Sequence, residues 1–178
     1  TNLKTVDVAK IDTSECRQMF DAFFRARKLK SLDLSSWDVS KTWNFNCMFQ
    51  ECHSLKNLDI RGWSAHPDKA GLFGMFFNCL SLQSLDLSGF DLASAADANK
   101  MFGHCQSLSK VSLGLNWKWV ICDDGEGTNS YLPTPSADTI PGADGKWYSV
   151  SSGRGYTPQG IPSNTADTYV ASRGMLSR

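Results

Sequence analysis

Apolar positions recur along residues 3–113 at a nearly fixed interval, and that interval predicts the elements. One phrase appears four times: Leu3-Lys-Thr-Val6-Asp7-Val8, Leu29-Lys-Ser-Leu32-Asp33-Leu34, Leu55-Lys-Asn-Leu58-Asp59-Ile60 and Leu82-Gln-Ser-Leu85-Asp86-Leu87. The steps from Leu3 to Leu29, Leu55, Leu82 and Leu108 are 26, 26, 27 and 26 residues. A period of this size describes units that bury their apolar faces only against one another, the signature of a solenoid. The phrase itself alternates and is short, as a strand lining a parallel sheet would be.

Behind each phrase the period changes. Ile11, Trp37, Trp63 and Phe90 mark a turn, and polar starters follow: Thr13 and Ser14, Asp38 and Ser40, Ser64 with Pro67, Asp91 and Ser94. Such residues satisfy free backbone N–H groups at a helix start. Apolar residues then recur at spacings of three, four and seven. They are Met19, Ala22, Phe23 and Ala26; Phe45, Met48, Phe49 and Cys52; Leu72, Met75, Phe76 and Cys79; and Ala98, Met101, Phe102 and Cys105. That spacing predicts one face of a short helix. The expected fold is therefore a leucine-rich-repeat-like α/β solenoid over residues 1–117, about four and a half coils. Parallel β-strands lie on one face and short helices on the other, with an irregular, β-containing C-terminal cap and tail at 118–178. The extra residue of the third unit falls between Trp63 and Leu72.

Six cysteines in this length do not make a disulfide scaffold, and their positions argue against one. Cys52, Cys79 and Cys105 share one slot with Ala26 and are expected as buried small hydrophobes about 5 Å apart. Parallel side-chain vectors suit a bridge between neighbours poorly. Cys47 is expected on the outward side, as the most reactive thiol.

These residues resemble the surface-protein repeat of the BspA-like type, the DUF285 or 26-residue repeat family. The resemblance rests on Leu32-Asp33-Leu34-Ser35, Trp37-Asp38, Ser40, Met48-Phe49 and Cys52, and on Leu85-Asp86-Leu87-Ser88, Phe90-Asp91, Met101-Phe102 and Cys105. It implies an extracellular, cell-wall-associated bacterial surface protein that works as an adhesin or interaction module. The family's usual Val-x-x-Met entry is replaced here by Thr42-Trp43-Asn44-Phe45 and Lys69-Ala70-Gly71-Leu72. The first unit carries Ala22-Phe23 and Ala26 where the Met-Phe pair and cysteine would stand. The tail, with Leu132-Pro133-Thr134-Pro135, Gly145-Lys146-Trp147-Tyr148 and Ala166-Asp167-Thr168-Tyr169-Val170-Ala171, resembles the capping region that follows such repeats. Asp144-Gly145 reads as a tight turn into a strand, and residues beyond Ala171 are expected to be disordered. Leu132-Pro133-Thr134-Pro135 lacks the glycine of a sortase anchor and reads as a loop.

Charge narrows the partners. Eighteen basic residues balance eighteen acidic ones, so no electrostatic footprint for nucleic acid appears. No apolar run approaches the roughly 20 residues that span a bilayer. Thr1 falls just before a worn repeat with no basic-then-apolar leader, which reads as a piece of a longer protein. Little chemistry is legible. His53 and His104 flank column cysteines but project to different faces, His66 lies in a turn, and no nucleophile-elbow or paired-carboxylate motif appears. No catalysis, metal or cofactor is expected. Asp123-Asp124-Gly125-Glu126-Gly127-Thr128-Asn129 is oxygen-rich but off the spacing of a calcium hand. The column Asp7, Asp33, Asp59 and Asp86 is expected to be neutralised by Lys4, Lys30 and Lys56.

Comparing units exposes outward columns that the fold does not require. They run Phe20, Asn46, Phe73 and Asn99; Asp21, Cys47, Gly74 and Lys100; Phe24, Gln50, Phe77 and Gly103; Arg25, Glu51, Asn78 and His104; and Arg17, Trp43, Ala70 and Ala96. Aromatics among polar residues have the composition enriched at interfaces; rotated helices that return the rings to the core are the alternative. The expected site is Trp43, Phe73, Phe77, Phe20 and Phe24 with Asn46, Gln50, Asn78 and Lys100. The expected partner is a host or bacterial surface protein, with a glycan as alternative. A structural spacer presenting neighbouring modules is the rival role.

Overall fold

The 26-residue period is a hydrogen-bonded reality, but no α-helix forms on either side of it among the described residues. The computed structural model describes residues 3–66, 71–95, 97–120 and 130–177. Four of the phrases' equivalents are short strands: β1 (Ser31–Asp33), β2 (Asn57–Asp59), β3 (Ser84–Leu87) and β4 (Lys110–Leu113). The expectation of an α/β solenoid with helices on one face is overturned. The strands also do not make one continuous parallel sheet. β1 pairs β2 in a two-stranded parallel sheet, whereas β3 and β4 open a five-stranded mixed sheet in the order β3-β4-β7-β5-β6. The division falls between β2 and β3, at the one 27-residue step.

Where helices were expected, the backbone makes successive tight turns. Each repeat carries two residues at positive φ, four apart: Asp21 and Arg25, Cys47 and Glu51, Gly74 and Asn78, Lys100 and His104. Amide groups alternate in what they do. In the first repeat the N–H groups of Met19, Asp21, Phe23 and Arg25 donate across to the carbonyls of Asn44, Asn46, Met48 and Gln50. Those of Ala22, Phe24 and Ala26 donate back three residues, to Met19, Asp21 and Phe23. The same alternation continues from Phe45 to Glu51 onto the third repeat and from Leu72 to Asn78 onto the fourth. A chain of four-residue turns repeats at four, close enough to 3.6 that inward positions i, i+3, i+4 and i+7 serve both. That coincidence is why the periodicity mimicked a helix.

The core lies between the strand side and the turn side. Phe23, Phe49, Phe76 and Phe102 stack face to face, with centroids 5.7, 5.6 and 5.8 Å apart. Trp117 closes the row at 6.4 Å. Trp63 is buried and Trp37 half-buried, and they donate Nε1–H to the carbonyls of Leu34 and Val8 in the preceding repeats. The polar residues expected as helix caps serve turns instead: Asp38 accepts from the Ser40 N–H and Asp91 from the Ala93 N–H.

Beyond residue 117 the chain folds back onto the last repeat. β7 (Asp167–Val170) runs antiparallel to β4, and β5 (Trp147–Ser149) and β6 (Gly155–Tyr156) extend the sheet. Gly145, at φ +84°, makes the expected turn into β5. Residues 172–177 are ordered, contrary to expectation: Arg173–Met175 forms a 3-10 turn, and the Arg173 guanidinium lies over the Tyr148 ring.

Candidate functional site

The turn ladder brings the outward columns side by side, because its register matches residues 26 or 27 apart. The isolated parallel bridge between Gln18 and Asn44 places Phe20 beside Asn46 and Phe24 beside Gln50. The bonds from Cys47 to Phe73 and from Glu51 to Phe77 continue these rows. None of the five expected rings belongs to the buried core. Phe20 is 56% exposed and Trp43 37%, while Phe24, Phe73 and Phe77 are half-buried. Helix rotation into the core therefore does not account for them. Of the other members of the Trp43 column, Arg17 is exposed, and Ala70 and Ala96 lie outside the described residues.

Each ring and polar partner has a definite setting. Arg25 places its guanidinium 4.8 Å above the Phe24 ring. Phe77 meets His104 edge to face at 5.3 Å and lies over Gly103. A Cβ on Gly103 would come within 2.7 Å of the Phe77 ring, so the glycine makes room for it. Asn46 Oδ1 accepts the Phe73 N–H at 2.8 Å, a bond between two of the expected site residues. Gln50, Asn78 and Lys100 are half-buried between the aromatic positions, the last two at positive φ. Glu51 pairs with Arg25 and Arg27, which hold its carboxyl below the usual range. Cys47 is half-buried, and burial together with the nearby Asp21 charge pushes its thiol up, which suppresses the nucleophilic thiolate expected of it.

The opposite, strand side carries a groove of about 520 Å³ along the exposed positions of β1 to β4. Its carboxylates are not neutralised by the lysines as expected. Asp33 accepts from the Ser35 N–H and Oγ, Asp86 accepts likewise from Ser88, and Asp59 takes a bidentate ion pair from Arg61. These bonds hold the Asp33 and Asp59 carboxyls below the ordinary value. Sequence spacing missed Arg61, which stands in the Ser35 and Ser88 position of its own repeat. The acidic segment 123–129, considered for calcium, lies outside the described residues.

Residues 1–83 and 69–121 match the family described as "Mycoplasma protein of unknown function, DUF285". The chain belongs to the DUF285 family. No curated protein and no solved structure matches it. The DUF285 match covers every residue of the turn ladder and stops short of β5, β6 and β7. Among the described residues of this DUF285 chain, no helix is long and apolar enough to cross a membrane.

Proposed function

We propose that this chain is a binding module of a bacterial surface protein, and that it recognises a protein partner through the turn side. The observation that carries this reading is the exposure of Phe20 and Trp43 beside the half-buried Phe24, Phe73 and Phe77. The core is complete without these rings, so their cost in water has no structural return. Aromatic anchors set among polar side chains are the arrangement from which most interface energy comes.

The backbone limits how such a partner binds. Every N–H from Phe45 to Cys52 is already engaged, by the next repeat, by its own turn or by Asn44 Oδ1. Strand addition is therefore closed on this side, and recognition falls to side chains. Asn46, Gln50, Asn78 and Lys100 supply the polar rim around the rings.

The test begins with the purified chain on protein and glycan arrays, followed by affinity measurements on the partner found. Trp43→Ala and Phe20→Ala should each weaken binding by about 2 kcal/mol and leave the melting temperature almost unchanged. Binding that survives both but is lost in Arg61→Glu would move the site to the strand groove. Absence of any partner on either array would favour the spacer role.

A further inference from the structure

Ser64, His66 and Asp91 stand together in the order of an acyl-transfer triad, on a surface separate from the turn side. Ser64 Oγ lies 3.3 Å from His66 Nε2. His66 Nδ1 lies 3.9 Å from Asp91 Oδ2. The serine thus meets one ring nitrogen and the carboxylate the other, the polarity a hydroxyl nucleophile needs.

The backbone fixes this juxtaposition. Ala65 and Phe90 form an isolated parallel bridge, closed by bonds from the Ala65 N–H to the Gly89 carbonyl and from the Asp91 N–H to the Ala65 carbonyl. Ala65 and Phe90 both point into the core. Alternation then sends Ser64 and His66 outward together, with Asp91 outward on the neighbouring chain. The carboxylate is itself held, by the Ala93 N–H at 2.9 Å on Oδ1 and Asn116 Nδ2 at 3.2 Å on Oδ2.

A groove of about 390 Å³ runs over the three residues. Gly89 and Gly114 line it where the repeats approach closely: a Cβ on either would lie 1.9 Å from a backbone oxygen of the preceding repeat, of Trp63 and Ser88 respectively. Leu115, 68% exposed, and Ala166 from the C-terminal region add an apolar side. Small apolar space beside a polar constellation suits a short acyl group.

We propose that Ser64, His66 and Asp91 form an acyl-transfer site for short-chain esters. Ser64 Oγ attacks the ester carbonyl as its proton passes to His66 Nε2. The tetrahedral intermediate expels the alkoxide, which takes that proton and leaves as the alcohol. Water then attacks the acyl-serine, giving its proton to His66, and the acid departs as Ser64 recovers its hydrogen. Asp91 stabilises the imidazolium formed in each half. The long His66–Asp91 distance suits a resting site, since such contacts tighten when charge develops. Because the site is open to water, the expected acceleration is the general-base share, about 10²-fold.

The full chain is tested with p-nitrophenyl acetate and with a fluorophosphonate followed by peptide mapping. Ester turnover should fall about 10²-fold in Ser64→Ala and in His66→Ala, and the fluorophosphonate should label Ser64 only in the presence of His66. Ser64→Cys gives an independent readout: its new thiol should react with iodoacetamide at neutral pH several-fold faster than in the Ser64→Cys, His66→Ala double variant. Melting temperatures verify that each variant folds. Ester turnover unchanged in Ser64→Ala, an unlabelled Ser64, or a new thiol indifferent to His66 would each overturn the assignment. None of these outcomes bears on partner binding at the turn side.

Discussion

Cys79 donates its thiol hydrogen to the main-chain carbonyl of Phe49, 3.1 Å away in the preceding repeat. Cys52 does the same to Phe23, and Cys105 to Phe76, both at 3.1 Å. The column is thus more than a row of small hydrophobes. Each sulfur fills the gap between stacked repeats and adds a second donor to a carbonyl that already receives a turn N–H.

The size of that slot sets the first prediction. Cys79→Ser keeps a donor aimed at Phe49 and should cost about 1 kcal/mol. Cys79→Leu forces extra methylenes between fixed neighbours and should cost about 2–3 kcal/mol. Urea denaturation orders the two variants, and a leucine variant as stable as the serine variant would show that the column yields to volume.

The same thiols predict weakening in alkali. Burial pushes the Cys52 thiol up to about 11 and Cys105 up to about 12, from an ordinary value of 9.0. Unfolded thiols ionise near that ordinary value while folded ones stay protonated, so the folded state holds more protons above it. Stability should therefore be complete below about pH 9 and fall as pH rises toward 11–12, by up to about 1.4 kcal/mol per pH unit for each thiol. Denaturation midpoints between pH 8 and 11 measure the slope, which Cys52→Ala should flatten. An unchanged slope in that variant would place the alkaline sensitivity elsewhere.

Asn78 separates turns from helix by the sign of one substitution. In a helix, Asn78→Ala would stabilise by a few tenths of a kcal/mol. At φ 61° both side chains carry the same Cβ crowding, but the short asparagine amide offsets it by bonding locally. The alanine variant should therefore lose about 1 kcal/mol, and Asn78→Gly, with no Cβ, should be near neutral. A more stable alanine variant would contradict the turn ladder.

Phe77 and Gly103 should be energetically coupled. Gly103→Ala in the native background must displace the Phe77 ring and should cost about 1–2 kcal/mol. In a Phe77→Ala background the added methyl has space, and most of that cost should vanish. A double-mutant cycle reads the difference, and additive effects would mean that the ring does not rest on the glycine.

Deleting residues 118–178 should expose the edge of β4 and the buried Trp117, since β7 pairs along all of Lys110–Leu113. Light scattering should show association of the truncated chain. A truncated protein that remains monomeric with an unchanged melting temperature would show that the C-terminal region covers nothing essential.

Much of this was legible in the residues, and the rest was obscured for identifiable reasons. The Leu-x-x-Leu phrase located β1, β2 and β3, and the cysteine slot located three buried thiols. The turns were masked because Phe45, Met48, Phe49 and Cys52 have a spacing that two successive turns share with a helix. A contrary signal was present: Asp21, Gly74 and Asn78, residues tolerant of positive φ, occupy the two positions where every repeat turns left-handed. Of the rings expected outward, Phe20 and Trp43 are exposed and Phe24, Phe73 and Phe77 half-buried, since burial follows inward spacing whichever element supplies it. Ser64, His66 and Asp91 read in the sequence as separate turn residues because Asp91 is contributed by the next repeat, and the Ala65–Phe90 bridge is what makes them neighbours.

The alternating use of amides in the turn ladder has a mechanical meaning. The turn ladder ties each repeat to the next by a row of hydrogen bonds and by stacked rings, while parallel strand pairing joins only β1 to β2 and β3 to β4 among the described residues. Pulling across the repeats loads these rows one interface at a time rather than all together. A detached repeat of about 26 residues, at about 3.5 Å per extended residue, would lengthen the chain by about 90 Å. Under tension such a protein gives way in equal steps, dissipating force repeat by repeat while the remainder keeps its surface intact.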